Sequence, residues 1–235
     1  MQRVRALWRY PVKSMRGEPV EAAEVGPHGL PGDRAFGVVD VATGTVLTAR
    51  RTPRLLFARA TWHDGEVDVR DEHGAPLGDD AALSAWLGRE VRLQRAGAEG
   101  GVYENPTDAE AETDWVSWQG PGHAWHDSTR TRVSLVSTGT LGDWDPARFR
   151  ANVLLDGAGE DDLVGTPVRL GDAVLDVRKR IDRCVMVTRA QPGLPVDRDV
   201  LRTVHRDRGG ELAIGALVVE PGPVAVGDAL APLEA

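Results

Sequence analysis

The chain carries one thiol, Cys184, and charge surrounds it: Arg178, Lys179, Arg180 and Arg183 come just before it and Arg189 follows. Neighbouring cations stabilise a thiolate and lower the thiol pKa, so a cysteine in this setting can act as a nucleophile or as a soft-metal ligand. The residues after it, Val185, Met186 and Val187, leave a second reading open, that of a small side chain in an apolar core.

Three further groupings could bind an anion. Lys13 and Ser14 follow Pro11-Val12 and lead into Met15-Arg16-Gly17, a turn whose donors suit an anion or a solvated surface. Only two of the 28 basic residues are lysines, Lys13 and Lys179, so a lysine here carries some information. Arg34 follows the tight loop Gly26 to Gly32. The run Arg148-Phe149-Arg150-Ala151-Asn152 sets two guanidiniums and an amide at a helix-to-strand junction, which fits a phosphate or a pterin edge and fits structural ion pairs equally well. There is no HExxH, Walker-type loop or CxxC pair, and His123-Ala124-Trp125-His126 is an HxxH without a third ligand in view.

These residues must be positioned by short strands. Gly (27) and Pro (15) punctuate short alternating apolar runs, a pattern of turns and strands more than of long helices. Strands are expected at Val4–Trp8, Val20–Val25, Ala35–Asp40, Val46–Ala49, Ala58–Trp62, Glu66–Arg70 and Val91–Arg95. Asp64-Gly65 is a hairpin turn, and Asp79 or Asp80 caps a short helix that Gly88 ends. Residues from about Ala96 to Gly122 show no periodicity, so the domain junction is placed there, with Trp115 and Trp118 as packing anchors. The second half predicts strands at Arg132–Val136, Asn152–Leu155, Val168–Leu170, Val174–Arg178, Val185–Thr188 and Leu212–Glu220. It also predicts a short helical turn at Asp145-Pro146 and a helix over Asp197–Arg206.

A net charge of −8 argues against nucleic acid as the principal partner. No apolar run approaches the ~20 residues that span a bilayer, and Met1 leads straight into a strand, so no membrane partner and a cytoplasmic location are expected. One cysteine excludes an intramolecular disulfide and iron–sulfur ligation by this chain alone.

Taken in order, Tyr10-Pro-Val-Lys-Ser-Met-Arg-Gly17, Gly32-Asp-Arg34, Leu47-Thr-Ala-Arg50, Arg148-Phe-Arg-Ala-Asn152, Asp182-Arg-Cys184, Leu201-Arg202 and Val226-Gly-Asp228 resemble the MOSC family, named for the C-terminal domain of molybdenum cofactor sulfurases. They resemble in particular the branch of the mitochondrial amidoxime-reducing component and its bacterial N-hydroxylaminopurine-detoxifying relatives. The resemblance implies a mainly β fold with a few short helices (α+β): a MOSC-type β-rich N-terminal domain over residues 1–97, a MOSC β-barrel over 98–235, and the molybdenum cofactor (molybdopterin) between them. It implies Cys184 as the metal ligand and Asp127 as an acidic catalytic residue beside the metal, a candidate proton donor. Lys13, Ser14, Arg34, Ser137, Thr138, Arg150, Asn152 and Arg183 would hold phosphate and pterin. The implied activity is reduction of small N-hydroxylated substrates such as amidoximes. Electrons would come from a separate electron-transfer protein, since the relatives' ferredoxin-like domain has no counterpart before Ala235. Family-level description also attaches pyridoxal phosphate binding. The alternatives are a non-catalytic carrier of the cofactor or of sulfur on Cys184, and a barrel that binds some other anion. Arg189-Ala190-Gln191-Pro192 departs from the family pattern on the substrate side.

Overall fold

The computed structural model describes residues 2–108 and 112–233. Strand outweighs helix, 42% against 17%, so the fold is mainly β as expected. In chain order the strands are β1 (Gln2–Arg9), β2 (Glu18–Val20), β3 (Ala22–Val25), β4 (Phe36–Asp40), β5 (Arg59–His63), β6 (Glu66–Arg70), β7 (Val91–Arg95), β8 (Val102–Asp108), β9 (Thr113–Gln119), β10 (Val133–Ser137), β11 (Val153–Leu155), β12 (Pro167–Leu170), β13 (Ala173–Asp182), β14 (Glu211–Glu220), β15 (Gly222–Ala225) and β16 (Ala229–Pro232). The helices are α1 (Asp80–Leu87), α2 (Thr138–Leu141) and α3 (Asp199–Arg208).

Seven strands close a barrel in the order β11-β10-β14-β13-β12-β16-β1, with β1 pairing back onto β11. Closure leaves no open edge in the ring, and β2 lies outside it as an extra strand on β1. Leu7, Leu135, Leu155, Leu170, Leu175 and Ile214 fill the interior, all at 1% exposure or less. Thus β1, from the segment read as the N-terminal domain, is a stave of the barrel itself.

The chain between β3 and β8, with the segment joining β1 to β2, builds a second core. β4 pairs with β7 and β5 with β6, and Val12, Met15, Val38, Leu55 and Leu83 pack between them. The local signals act as anticipated. Asp79 accepts a hydrogen bond from the Ala82 amide and Gly88 ends α1 at φ 69°, while Asp64 and Gly65 turn the β5–β6 hairpin at φ 46° and 96°. Parallel bridges Val12–Phe36 and Arg16–Arg59 tie this core to the segment carrying Lys13 and Ser14.

Four expectations are corrected. Val46–Ala49 forms no strand: Val46 makes only an isolated antiparallel bridge to Val39. The stretch read as an aperiodic junction is the β8–β9 hairpin, anchored where Tyr103 stacks on Trp118 at 5.4 Å and meets Trp125 edge-on; its tip, residues 109–111, lies outside the described residues. β9 is exposed or half-buried throughout, so the ribbon lacks the alternation by which a half-buried strand is recognised. Val185–Thr188 is a 3₁₀ turn, not a strand, because the Thr188 hydroxyl donates to the Val185 carbonyl at 2.8 Å and the Val187 amide to the Cys184 carbonyl at 3.2 Å. The run Val20–Val25 splits between two partners: β2 pairs with β1, and β3 with β15.

Candidate functional site

A cavity of about 310 Å³ opens at one end of the barrel. Its walls are the start of β10, the end of β13 with Cys184, the approach to β11, and the segments holding Lys13, Arg34, Arg50 and Asp127. Eight of the ten residues singled out in the sequence line it: Lys13, Ser14, Arg34, Asp127, Arg150, Asn152, Arg183 and Cys184.

One wall is a buried seam between the two cores. Arg150 is buried and its guanidinium lies 4.3 Å from the Tyr10 ring centroid; Arg34 faces the same ring at 5.2 Å. Arg150 donates to the Met15 carbonyl, while Arg34 donates to Asp33 and, at 3.2 Å, to the Arg150 carbonyl. Burial lowers the Arg150 pKa to about 10 and raises that of Tyr10 to about 12, so at neutral pH the arginine stays charged and the phenol neutral. Ser14, Arg34 and Arg150 have φ of 69°, 53° and 55°. Left-handed backbone at a residue with a Cβ is costly and persists where the surroundings over-determine it, and three of the eight such non-glycine residues among the described residues line this cavity.

The opposite wall holds Cys184, half-buried at the end of β13. The Arg50 Nε donates to its Sγ at 3.5 Å, and Arg50 Nη2 reaches Asp127 at 3.3 Å. Lys13 Nζ donates to the same carboxylate at 2.9 Å and to the Trp125 carbonyl at 3.0 Å. Desolvation would raise the Asp127 carboxyl, but Lys13 and Arg50 outweigh it and hold the pKa well below the usual carboxylate range. Without a bound cofactor Asp127 is thus an acceptor between Lys13 and Arg50. Lys13 is the titratable partner: burial lowers its ammonium to about 8 although Asp127 opposes the shift.

Ser137 and Thr138 lie elsewhere. Ser137, fully buried, caps α2 by accepting from the Thr140 amide at 3.1 Å, and Thr138 donates to the Gly157 carbonyl at 3.4 Å. Both sit at the far end of β10, and the strand's 3.3 Å rise carries Ser137 roughly 10 Å beyond Ser134, onto the other face. It is Ser134 that lines the cavity, where its hydroxyl donates to Asn152 Oδ1 at 2.9 Å. Asn152 also donates to the Trp8 carbonyl at 3.2 Å, so its amide ties β10, β11 and β1 together. The HxxH pair diverges: His123 is exposed and stacks on His28 at 4.5 Å, whereas His126 is buried on the cavity wall.

Two family models cover almost the whole chain. The MOSC N-terminal beta barrel domain matches residues 1–118 and the MOSC domain matches residues 123–231. The chain belongs to the MOSC family. Molybdenum cofactor binding is associated with that family. Among solved structures, the YUAD protein from Bacillus subtilis is 15% identical, with a TM-score of 0.51 over 98% of this chain and 94% of that one; the likeness is one of fold. YiiM from Escherichia coli is 18% identical over 46% of this chain and 57% of its own, at a TM-score of 0.37. No curated protein matches. Within this MOSC chain, Arg50 is the site residue that sequence reasoning left out. It stood in the quoted Leu47-Thr-Ala-Arg50, but nothing local to that motif shows that its side chain spans Cys184 and Asp127. Arg148 is structural: it donates to the Val187 and Pro195 carbonyls at 3.2 and 2.9 Å and so fixes the turn after Cys184.

Proposed function

We propose that this chain holds a molybdenum cofactor in the cavity, with the Cys184 thiolate as its protein ligand to the metal, and reduces N-hydroxylated small molecules with electrons from a separate redox protein. The observation that carries the reading is one thiol on the wall of a cavity whose cations outnumber its carboxylates. Lys13, Arg34, Arg50, Arg150 and Arg183 line the space with Asp127 and Asp182, a local surplus of positive charge in a chain whose net charge is −8. The Arg183 Nη2 is buried with no hydrogen-bond partner among the described residues. A phosphate oxygen would satisfy it, each such charge-assisted bond contributing about 1.5–3 kcal/mol. Among the described residues no three His, Cys, Asp or Glu side chains converge as a metal site, so a metal on Cys184 must bring other ligands with it, as a dithiolene-bearing cofactor does.

Arg34, Arg150 and Arg183 would hold the phosphate and pterin, and a cofactor so bound would supply two-electron chemistry at its metal. Arg50 Nε–H donates to Sγ, and the ion pair with Asp127 fixes the guanidinium. Lys13 Nζ, with its ammonium lowered to about 8 and held by Asp127, is the proton-bearing group beside the thiol. The test is metal analysis of protein made in a molybdenum-replete host, followed by benzamidoxime reduction with reduced viologen. Near-stoichiometric molybdenum with turnover in wild type, and loss of both in Cys184→Ser, is expected. Wild-type protein free of molybdenum would overturn the reading, and molybdenum without turnover would favour the carrier.

A further inference from the structure

Two residues that line the cavity each carry a buried polar side-chain atom without a hydrogen-bond partner among the described residues: Arg183 Nη2 and His126 Nε2. The first suits an anion, as argued above. The second has a different chemistry. His126 is only 6% exposed; burial and then the cations Arg34, Arg132 and Lys13 lower its pKa well below the ordinary imidazole range, against the opposing pull of Asp127. A buried polar atom costs free energy unless a partner is found, and a neutral imidazole adds no charge to a wall already rich in guanidinium. Other acceptors there are engaged: Asp127 by Lys13 and Arg50, Asn152 by Ser134, Asp182 by Lys179.

We infer that His126 is a ligand-binding residue whose Nε2 hydrogen-bonds the uncharged edge of a planar nitrogen heterocycle, while the guanidiniums take its anionic end. The residues on either side of His126 are held in place. The neighbouring Trp125 is locked in the Tyr103 cluster, and the Trp125 carbonyl and Asp127 carboxylate on either side both accept from Lys13. The inference deepens the proposed function by assigning a recognition group to the pterin portion of the same site.

The experiment uses cofactor-free full-length protein and two probes: 6-hydroxymethylpterin, a fluorescent uncharged heterocycle, and sulfate, an anion that does not titrate near neutral pH. Pterin binding should shift the His126 Nε2 resonance in ¹⁵N-histidine spectra. His126→Phe should weaken pterin binding roughly five- to tenfold, the worth of one hydrogen bond, while sulfate affinity changes less than about twofold. His126→Gln, which restores a polar side chain, should recover part of the loss. Equal pterin affinity in wild type and His126→Phe, no resonance shift on binding, or parallel loss of both probes would overturn the assignment. The molybdenum content of wild-type protein is read separately. If it is absent the cofactor reading fails, whereas molybdenum present with pterin affinity indifferent to residue 126 overturns this inference alone.

Discussion

The two walls of the cavity are built differently. The Tyr10–Arg34–Arg150 seam is buried, rests on backbone carbonyls of Met15 and Arg150, and includes left-handed residues. The Cys184 wall is half-exposed apart from Lys13, and is held mostly by side chains that meet other side chains: Arg50 to Asp127 and Asn105, and Arg189 to Glu112 as well as to the Arg50 carbonyl. Backbone-anchored groups fixed by two cores cannot retreat from a ligand, whereas long side chains in mutual ion pairs can exchange partners at small cost. The seam is thus suited to fixed recognition, and the Cys184 wall to access and chemistry.

The largest effect should come from breaking the seam. Arg150→Ala removes the donor to the buried Met15 carbonyl and the packing against Tyr10, and should cost about 2–4 kcal/mol in urea unfolding. Arg150→Gly makes the same deletion but relieves φ 55°, so it should be more stable than the alanine variant by roughly 1 kcal/mol. An alanine variant as stable as the glycine variant would show that the backbone there is unstrained. Sulfate should stabilise wild type more than either, because it offsets charge that burial makes costly.

Asp127→Asn tests the other wall and should cost less, about 1–2 kcal/mol near neutral pH, because the carboxylate is 53% exposed and solvent screens it. The pH dependence has a definite sign. The Asp127 pKa is depressed in the fold, so its stabilisation is full above the ordinary carboxyl pKa of about 3.9 and fades as pH falls below that. Lys13 needs the partner only while protonated, and its folded pKa is about 8. The difference between wild type and Asp127→Asn should therefore be greatest between about pH 4 and 8. A flat difference across pH 3–10 would mean that Asp127 acts through packing alone.

Much of this was legible in the sequence because its signals are local. Asp79 and Gly88 bound α1, Asp64-Gly65 turns a hairpin, and the apolar run of Leu212–Glu220 marks β14. The cavity was legible as a set of motifs, since Lys13, Arg34, Arg150 and Cys184 each stand in a distinctive run. What was hidden depends on long-range geometry. Arg50 reaches a sulfur 134 residues away, His126 is buried while nearby His123 is exposed, and closure of the barrel by β1 joins residue 4 to residue 155. Ser137 was misplaced because three residues along a strand change both height and face, a distinction no motif records.

Ser137 supplies a smaller test of that correction. Ser137→Ala should cost about 1 kcal/mol through loss of the α2 cap and leave molybdenum content unchanged. Depletion of molybdenum in a folded Ser137→Ala protein would return the residue to the site.

The smallest effect on stability should come from the residue expected to matter most for chemistry. Cys184→Ser exchanges a half-buried side chain whose hydrogen bond, from Arg50 Nε at 3.5 Å, is to a neighbour that also has Asn105 and Asp127 to hold it. The hydroxyl keeps an acceptor in place, and no cavity opens because the two side chains are nearly isosteric. Unfolding of the cofactor-free protein should shift by no more than about 0.5 kcal/mol, the range of substitutions that touch no core and break no network. Were Cys184 a packing residue of the apolar Val187 core, the polar replacement would cost well beyond 1 kcal/mol. Equilibrium unfolding of the two cofactor-free proteins therefore separates the buried-hydrophobe reading of this cysteine from the ligand reading, independently of any measurement of metal or turnover.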